Sequence, residues 1–145
     1  MTYSPWRDAE RRHPDIDIEY TALAPARGVW VRSEQMILLD RDLERAWRRA
    51  TLAHELAHVD LDHRGDVEGY FARRMEREAN LLAARRLLAS LDAIGDAIAA
   101  HGGDTAAVAD ELDVPSEVLI RRMENMHPRD RARVVARSRR VQRVS

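Results

Sequence analysis

An α+β fold is predicted by three features of the sequence. Residues 15–40 alternate apolar and polar side chains with the period of two that marks half-buried strands. Residues 42–90 change to helical spacing, and the chain after Gly103 reads as short helical units ending in an arginine-rich segment. At 145 residues, 45% of them apolar, the chain suits one domain with a small appendage and can bury a genuine core.

In SPWRDAERRHP, Ser4 is placed to cap a short polar helix that begins at Pro5 and closes at His13 and Pro14. In DIDIEYTAL, Ile16, Ile18 and Tyr20 alternate with acids as one strand. RGVWVRSEQMILLD reads as a hairpin, with Val29 and Val31 on one arm, Met36 to Leu39 on the other, and RSEQ at the turn. The run MILL would also suit the start of a helix. A helix and a small antiparallel sheet are therefore expected before Asp42. From there Leu43, Trp47, Ala50, Leu52, Leu56 and Val59 recur at helical spacing, and His63 with Gly65 marks the end. A second helix is expected from about Glu68 to Ser90, with Phe71, Met75, Ala79 and Leu82 in one stripe. LDAIGDAIAAHGG is a weaker helix that stops at Gly102 and Gly103. DTAAVADEL and PSEVLIRRMENM follow. Ala109, Leu112, Val114, Leu119 and Met123 have the spacing that packs a helix-turn-helix, with Asp113 at the turn.

The composition narrows the chemistry. Cysteine is absent, which excludes disulfides, thiolate ligands and cysteine nucleophiles and leaves His, Asp and Glu as the strong metal ligands. The start MTYSPWRDAERRHPD lacks the apolar core of a signal peptide, and no apolar run approaches the roughly 18 residues of a spanning helix. The expectation is a soluble cytoplasmic protein with no membrane partner. The net charge of −1 hides an asymmetry: residues 121–145 hold nine of the 24 arginines against two acids, and residues 1–120 hold 15 against 23 acids. Such a tail can meet nucleic acid or an acidic partner, although a solvated, frayed helical end has the same composition.

TLAHELAHVDLDH carries the chemistry. His54 and His58 stand four apart on the expected helix and share a face on which they can converge on one ion. Glu55 sits about 100° around the axis, outside the ligand set yet near enough to take a proton from water at that ion. By chance, an H-E-x-x-H would occur in about one chain in fifty of this composition. A catalytic zinc needs a third protein ligand. The distant-histidine version fails, because positions 61 and 64 are Leu61 and Arg64. On a continuing helix His63 would point about 140° away from the histidine pair. MEREANLLAARRLL offers Glu76 and Glu78. Glu76 lies beside the apolar stripe and shares a face with Asn80, which could accept a hydrogen bond from a ligand histidine. Glu78 lies about 200° around from Glu76, toward solvent, so periodicity favours Glu76.

With both segments in view, the chain resembles the ImmA/IrrE family of small zinc metallopeptidases in its actinobacterial or phage-like form. The residues that carry the resemblance are TLAHELAHVDLDH, EREANLLAARRLL and the upstream RGVWVRSEQMILLD, within a span of roughly 15–125. The resemblance implies His54, His58 and Glu76 as zinc ligands, Glu55 as the catalytic general base, and Asn80 behind the ligands. It implies a minimal gluzincin-like fold, a small sheet packed on the active-site helix with the ligand glutamate on a second helix. Residues 1–103 would then form the zincin-like core, 104–127 a helix-turn-helix-like pair packed on it, and 128–145 an arginine-rich tail. The family's proline-ended LLMP is LLAS here, which puts the groove beyond the third-ligand helix in doubt.

The implied activity is that of a zinc-dependent endopeptidase acting on a protein regulator, a helix-turn-helix repressor being the expected partner, with relief of repression of a mobile element or stress response. Glu55 would pass a proton from water to the leaving amine. The substrate is expected along a sheet edge formed by MILLD, with Tyr70 and His63 as candidate oxyanion donors. The alternative is a zinc-containing module that switches a repressor by binding. Nucleic-acid contact through Arg121, Arg122 and the tail is the lesser reading, because Glu117 at the start of the second short helix would repel phosphate.

Overall fold

The computed structural model describes residues 2–65 and 68–144 and divides into two compact units, Met1–Leu87 and Leu88–Ser145. Together the described residues form an α+β fold with three strands and seven α-helices. The first unit holds α1 (Pro5–Arg12), β1 (Asp17–Thr21), β2 (Gly28–Val31), β3 (Met36–Asp40), α2 (Arg45–Asp60) and α3 (Tyr70–Leu87). The cap expected on α1 is present: Ser4 Oγ accepts from the Arg7 N–H, and Pro5 takes a first-turn position that needs no donor.

The sheet is mixed, in the order β1-β3-β2. β2 and β3 form the expected antiparallel hairpin, turned by a 3-10 segment over Arg32–Glu34 with Gln35 left-handed at φ 50°. β1, however, runs parallel to β3, so the expectation of a wholly antiparallel sheet is corrected. Two reversals of direction return the chain to its starting sense, and β3 inserts between β1 and β2 instead of adding outside them. MILLD is therefore the central strand. Both its edges are paired, and the expectation that it offers a free edge to substrate is also corrected. The alternative of a helix at MILL is excluded by the same pairing.

The alternation in β3 sends Ile37 and Leu39, both fully buried, toward one face. They cluster with Leu52 and Leu56 of α2 and Ala9 of α1, flanked by Trp6, Ile16, Ile18, Trp30 and Val59. Each fully buried leucine or isoleucine contributes about 1.5–3 kcal/mol, so this cluster fixes α2 to the sheet. Gly28 permits the close approach of β2 to α2: a Cβ there would lie 2.6 Å from Thr51 Cγ2 and 3.1 Å from the Leu38 carbonyl.

The polar side of the first unit is held by Asp60, at the C-terminal end of α2, where a carboxylate meets the unfavourable end of the helix dipole. Two guanidinium groups and an imidazole offset it. Arg12 donates through Nη1 and Nη2 at 3.0 and 2.9 Å, His13 Nε2 lies at 2.7 Å, and Arg86 Nη1 at 2.6 Å. Burial works to raise the Asp60 pKa, but the bonds from Arg12 and His13 and the partnership of Arg86 outweigh it and hold the carboxyl at about 2. That displacement corresponds to about 2 kcal/mol, of which solvent screening leaves about 1–2. Because the folded pKa is the lower one, this stability is present above the unfolded value near 4 and is lost as pH falls from there toward 2. Asp60→Ala is thus expected to destabilise by about 1–3 kcal/mol at pH 7. The gap to wild type should shrink toward zero near pH 2, as read in denaturant melts across that range.

The helix stripe expected on α3 is shifted. Ala79, Ala83 and Leu87 are buried, whereas Phe71 is 63% exposed and pairs edge-on with Tyr70. The stripe fails at its first member, in the first turn of α3, where Tyr70 and Phe71 are both exposed.

The second unit consists of α4 (Leu91–His101), α5 (Thr105–Glu111), α6 (Ser116–Glu124) and α7 (Pro128–Val144). Ser90, expected inside the preceding helix, instead caps α4 by accepting from the Ala93 N–H. α5 and α6 meet through Val108, Ala109, Val114, Val118 and Leu119, all buried, across a turn in which Asp113 is left-handed at φ 56°. The arginine-rich segment is an ordered helix over most of its length. Its Val134 is fully buried, Arg133 and Arg137 pair with Asp92 and Asp96 of α4, and a Cβ on Gly95 would strike the Arg137 stem at 2.7 Å. Arg122 donates to the Leu88 carbonyl at 3.1 Å. Among the described residues no helix is long and apolar enough to cross a membrane.

Candidate metal centre

The fully buried Leu52 and Leu56 set the rotation of α2 and thereby aim the opposite face, His54 and His58, at α3. Glu76, on the second turn of α3, reaches between them. Its Oε1 lies 2.8 Å from His58 Nε2, its Oε2 lies 3.1 Å from His54 Nε2, and the two imidazole nitrogens are 3.1 Å apart. One ligand atom from each residue falls within 4.8 Å of the others. Glu78 is excluded from this group, so the choice that periodicity favours is the residue found at the centre.

These distances suit a small, hard-to-borderline cation. Around zinc with bonds of about 2.0–2.1 Å, tetrahedral ligand atoms stand about 3.3 Å apart, a few tenths of an ångström beyond the separations seen here. The donor chemistry agrees: two imidazoles and one carboxylate leave a fourth position open, as in catalytic rather than structural zinc sites. The electrostatics point the same way. Bonds from His54 and then His58 hold the Glu76 carboxyl far below the usual carboxylate range. At His54 burial works against the charged imidazole, but the bond to Glu76 and the charges of Glu55 and Glu76 prevail and raise its pKa. The carboxylates of Glu55 and Glu76 thus favour a positive charge at His54, beside the position where the three ligand atoms converge. Asn80, one turn beyond Glu76, makes a side-chain hydrogen bond to His54.

Glu55 is only 6% exposed. Burial raises its pKa, while His54 and His58 pull it down and the Trp30 backbone N–H of β2 donates to it. It faces a cleft of about 210 Å³ that it lines with His58, Glu76, Trp30, Ala72 and Met75. Gly28, Val29 and Trp30 of β2 form one wall of that cleft, so the sheet edge beside the centre belongs to β2.

Two positions differ from expectation. His63 does not point away from His58. α2 stops at Asp60, and Asp62 takes the left-handed conformation at φ 54°. The Asp62 N–H then bonds to the Val59 carbonyl and the His63 N–H to the His58 carbonyl, a Schellman turn that folds the chain back. The 100° step per residue ceases to apply at that point. The His63 ring, 8% exposed, lies against His58 with Nδ1 to Nδ1 at 2.9 Å, and its Nε2 is 3.2 Å from Glu78 Oε2. Both ring nitrogens are engaged, which removes His63 as an oxyanion donor. Glu78 is correspondingly not a plain solvent-facing charge. The one signal that could have located His63 is Asp62 itself, since Asp visits the left-handed region more readily than most residues.

No curated protein matches the chain. The family model Peptidase_M78, described as the IrrE N-terminal-like domain, matches residues 11–124 and so includes the histidine pair, Glu55 and Glu76. With that match over most of its length, and with His54, His58 and Glu76 drawn together as a metal-dependent peptidase requires, the chain belongs to the Peptidase_M78 family of metallopeptidases.

Proposed function

We propose that the protein is a zinc-dependent endopeptidase of the H-E-x-x-H plus glutamate type that cuts a protein regulator, a helix-turn-helix repressor being the expected substrate. The convergence of His54, His58 and Glu76 beside a buried Glu55 carries this reading. A zinc ion held by these three residues would supply a Lewis acid that activates water at neutral pH. Glu55 then takes the proton of the attacking water and returns it to the leaving amine, a role suited to a buried carboxyl whose pKa is raised by that burial. The Trp30 N–H holds Glu55 in place between those two transfers. The substrate strand lies extended along β2, where backbone pairing gives affinity irrespective of side chains and Val29, Ala72 and Met75 offer apolar contacts.

Zinc-loaded protein mixed with repressors of its host is expected to yield discrete fragments by mass spectrometry. Chelation should stop cleavage, and added zinc should restore it. Fragments that persist unchanged in excess chelator would reject the zinc mechanism.

A further inference from the structure

A chain of polar contacts leads away from the metal centre through His58. His63 Nδ1 is 2.9 Å from His58 Nδ1, His63 Nε2 is 3.2 Å from Glu78 Oε2, and Arg74 Nε is 3.1 Å from Glu78 Oε1. We propose that His63 and Glu78 are positioning residues that fix the tautomer of His58, so that its Nε2 presents a bare lone pair to the metal. The proposal rests on the His54–His58–Glu76 centre described above.

The argument is a count of protons. An ionised carboxylate only accepts, so the hydrogen between Glu78 and His63 sits on His63 Nε2. A neutral imidazole protonated there carries a lone pair on Nδ1. That lone pair, 2.9 Å from His58 Nδ1, needs a donor, and His58 Nδ1–H is the hydrogen on the line. With a metal ion between them Glu76 takes no hydrogen from His58, so His58 keeps its one proton on Nδ1 and turns to the ion the Nε2 that otherwise donates to Glu76 at 2.8 Å and lies 3.1 Å from His54 Nε2. Metal-bound histidines usually donate their remote N–H to a carboxylate, carbonyl or water. Here a second imidazole, delivered by the Schellman turn, occupies that place, and the carboxylate stands one step further out. Arg74, 56% exposed, only steadies Glu78.

The test uses the full chain. Zinc affinity is measured by competition with a chromophoric chelator, and imidazole tautomers are read from ¹⁵N spectra of the zinc-loaded protein. His63→Leu removes the acceptor and is expected to weaken zinc binding about 10–100-fold. His63→Asn, whose Oδ1 replaces Nδ1 as acceptor, should stay within about threefold of wild type, and Glu78→Ala should fall between the two. Wild-type spectra should show His58 protonated on Nδ1 and His63 on Nε2. A purely structural role for His63 would move the Leu and Asn variants together, so equal affinities in those two overturn the proposal. So does a His63 protonated on Nδ1. Glu78 is 42% exposed, so its variant and the spectra decide the matter even if leucine at 63 fails to fold. A wild type that takes up no zinc overturns the ligand set itself and the positioning role with it, whereas zinc bound equally by wild type and His63→Leu rejects the positioning role alone.

Discussion

Replacing Glu76 with alanine is expected to empty the metal centre while leaving the fold in place. Glu76 is the one carboxylate in the group with His54 and His58, and its side chain is 58% exposed, so its removal opens no cavity in the core. Loss of one of three protein ligands should weaken zinc binding on the order of a hundredfold or more. Elemental analysis of the purified variant should fall from one zinc per chain to a small fraction of that. Its metal-free melting temperature should stay near that of metal-free wild type. If Glu76→Ala instead retains full zinc, the third ligand lies elsewhere, and the 2.8 and 3.1 Å contacts to His58 and His54 are ion pairs of the metal-free chain only.

Glu55→Gln is expected to separate binding from chemistry. The amide keeps the size of the buried side chain and can still accept the Trp30 N–H through its oxygen, so zinc content and melting temperature should match wild type. It cannot take a proton from water. Cleavage should fall by about 10²–10⁴-fold, the usual contribution of a positioned general base. A variant that loads zinc and does not cut places Glu55 in the proton transfer. A variant that relieves repression as well as wild type would instead assign the function to binding, with the metal serving only the fold.

The sequence was most informative where chemistry and local periodicity coincide. His54, Glu55 and His58 are ordered by one helix, and the four-residue spacing that brings the histidines to one face is a property of that helix alone. The preference for Glu76 over Glu78 has the same origin, because rotation about α3 separates two residues only two apart in the chain. Ser4 as a cap belongs here too, since a cap involves residues three apart.

Elsewhere the deciding interactions are non-local. Whether β1 runs parallel to β3, and whether MILLD is a central or an edge strand, depends on which strand β3 inserts between; alternating residues look the same in either arrangement. The arginine-rich segment forms an ordered helix because Val134 and Gly95 allow α7 to lie against α4 and because Asp92 and Asp96 stand opposite its guanidinium groups. The position of His63 depends on one left-handed residue, Asp62, that ends the helical repeat. Local spacing by itself thus picked out the histidine pair, the glutamate beside it and the glutamate that meets them from the second helix. Only the tertiary structure decided the edge that faces them and the imidazole that backs His58, because these depend on contacts between residues whose separation in the chain carries no fixed geometry.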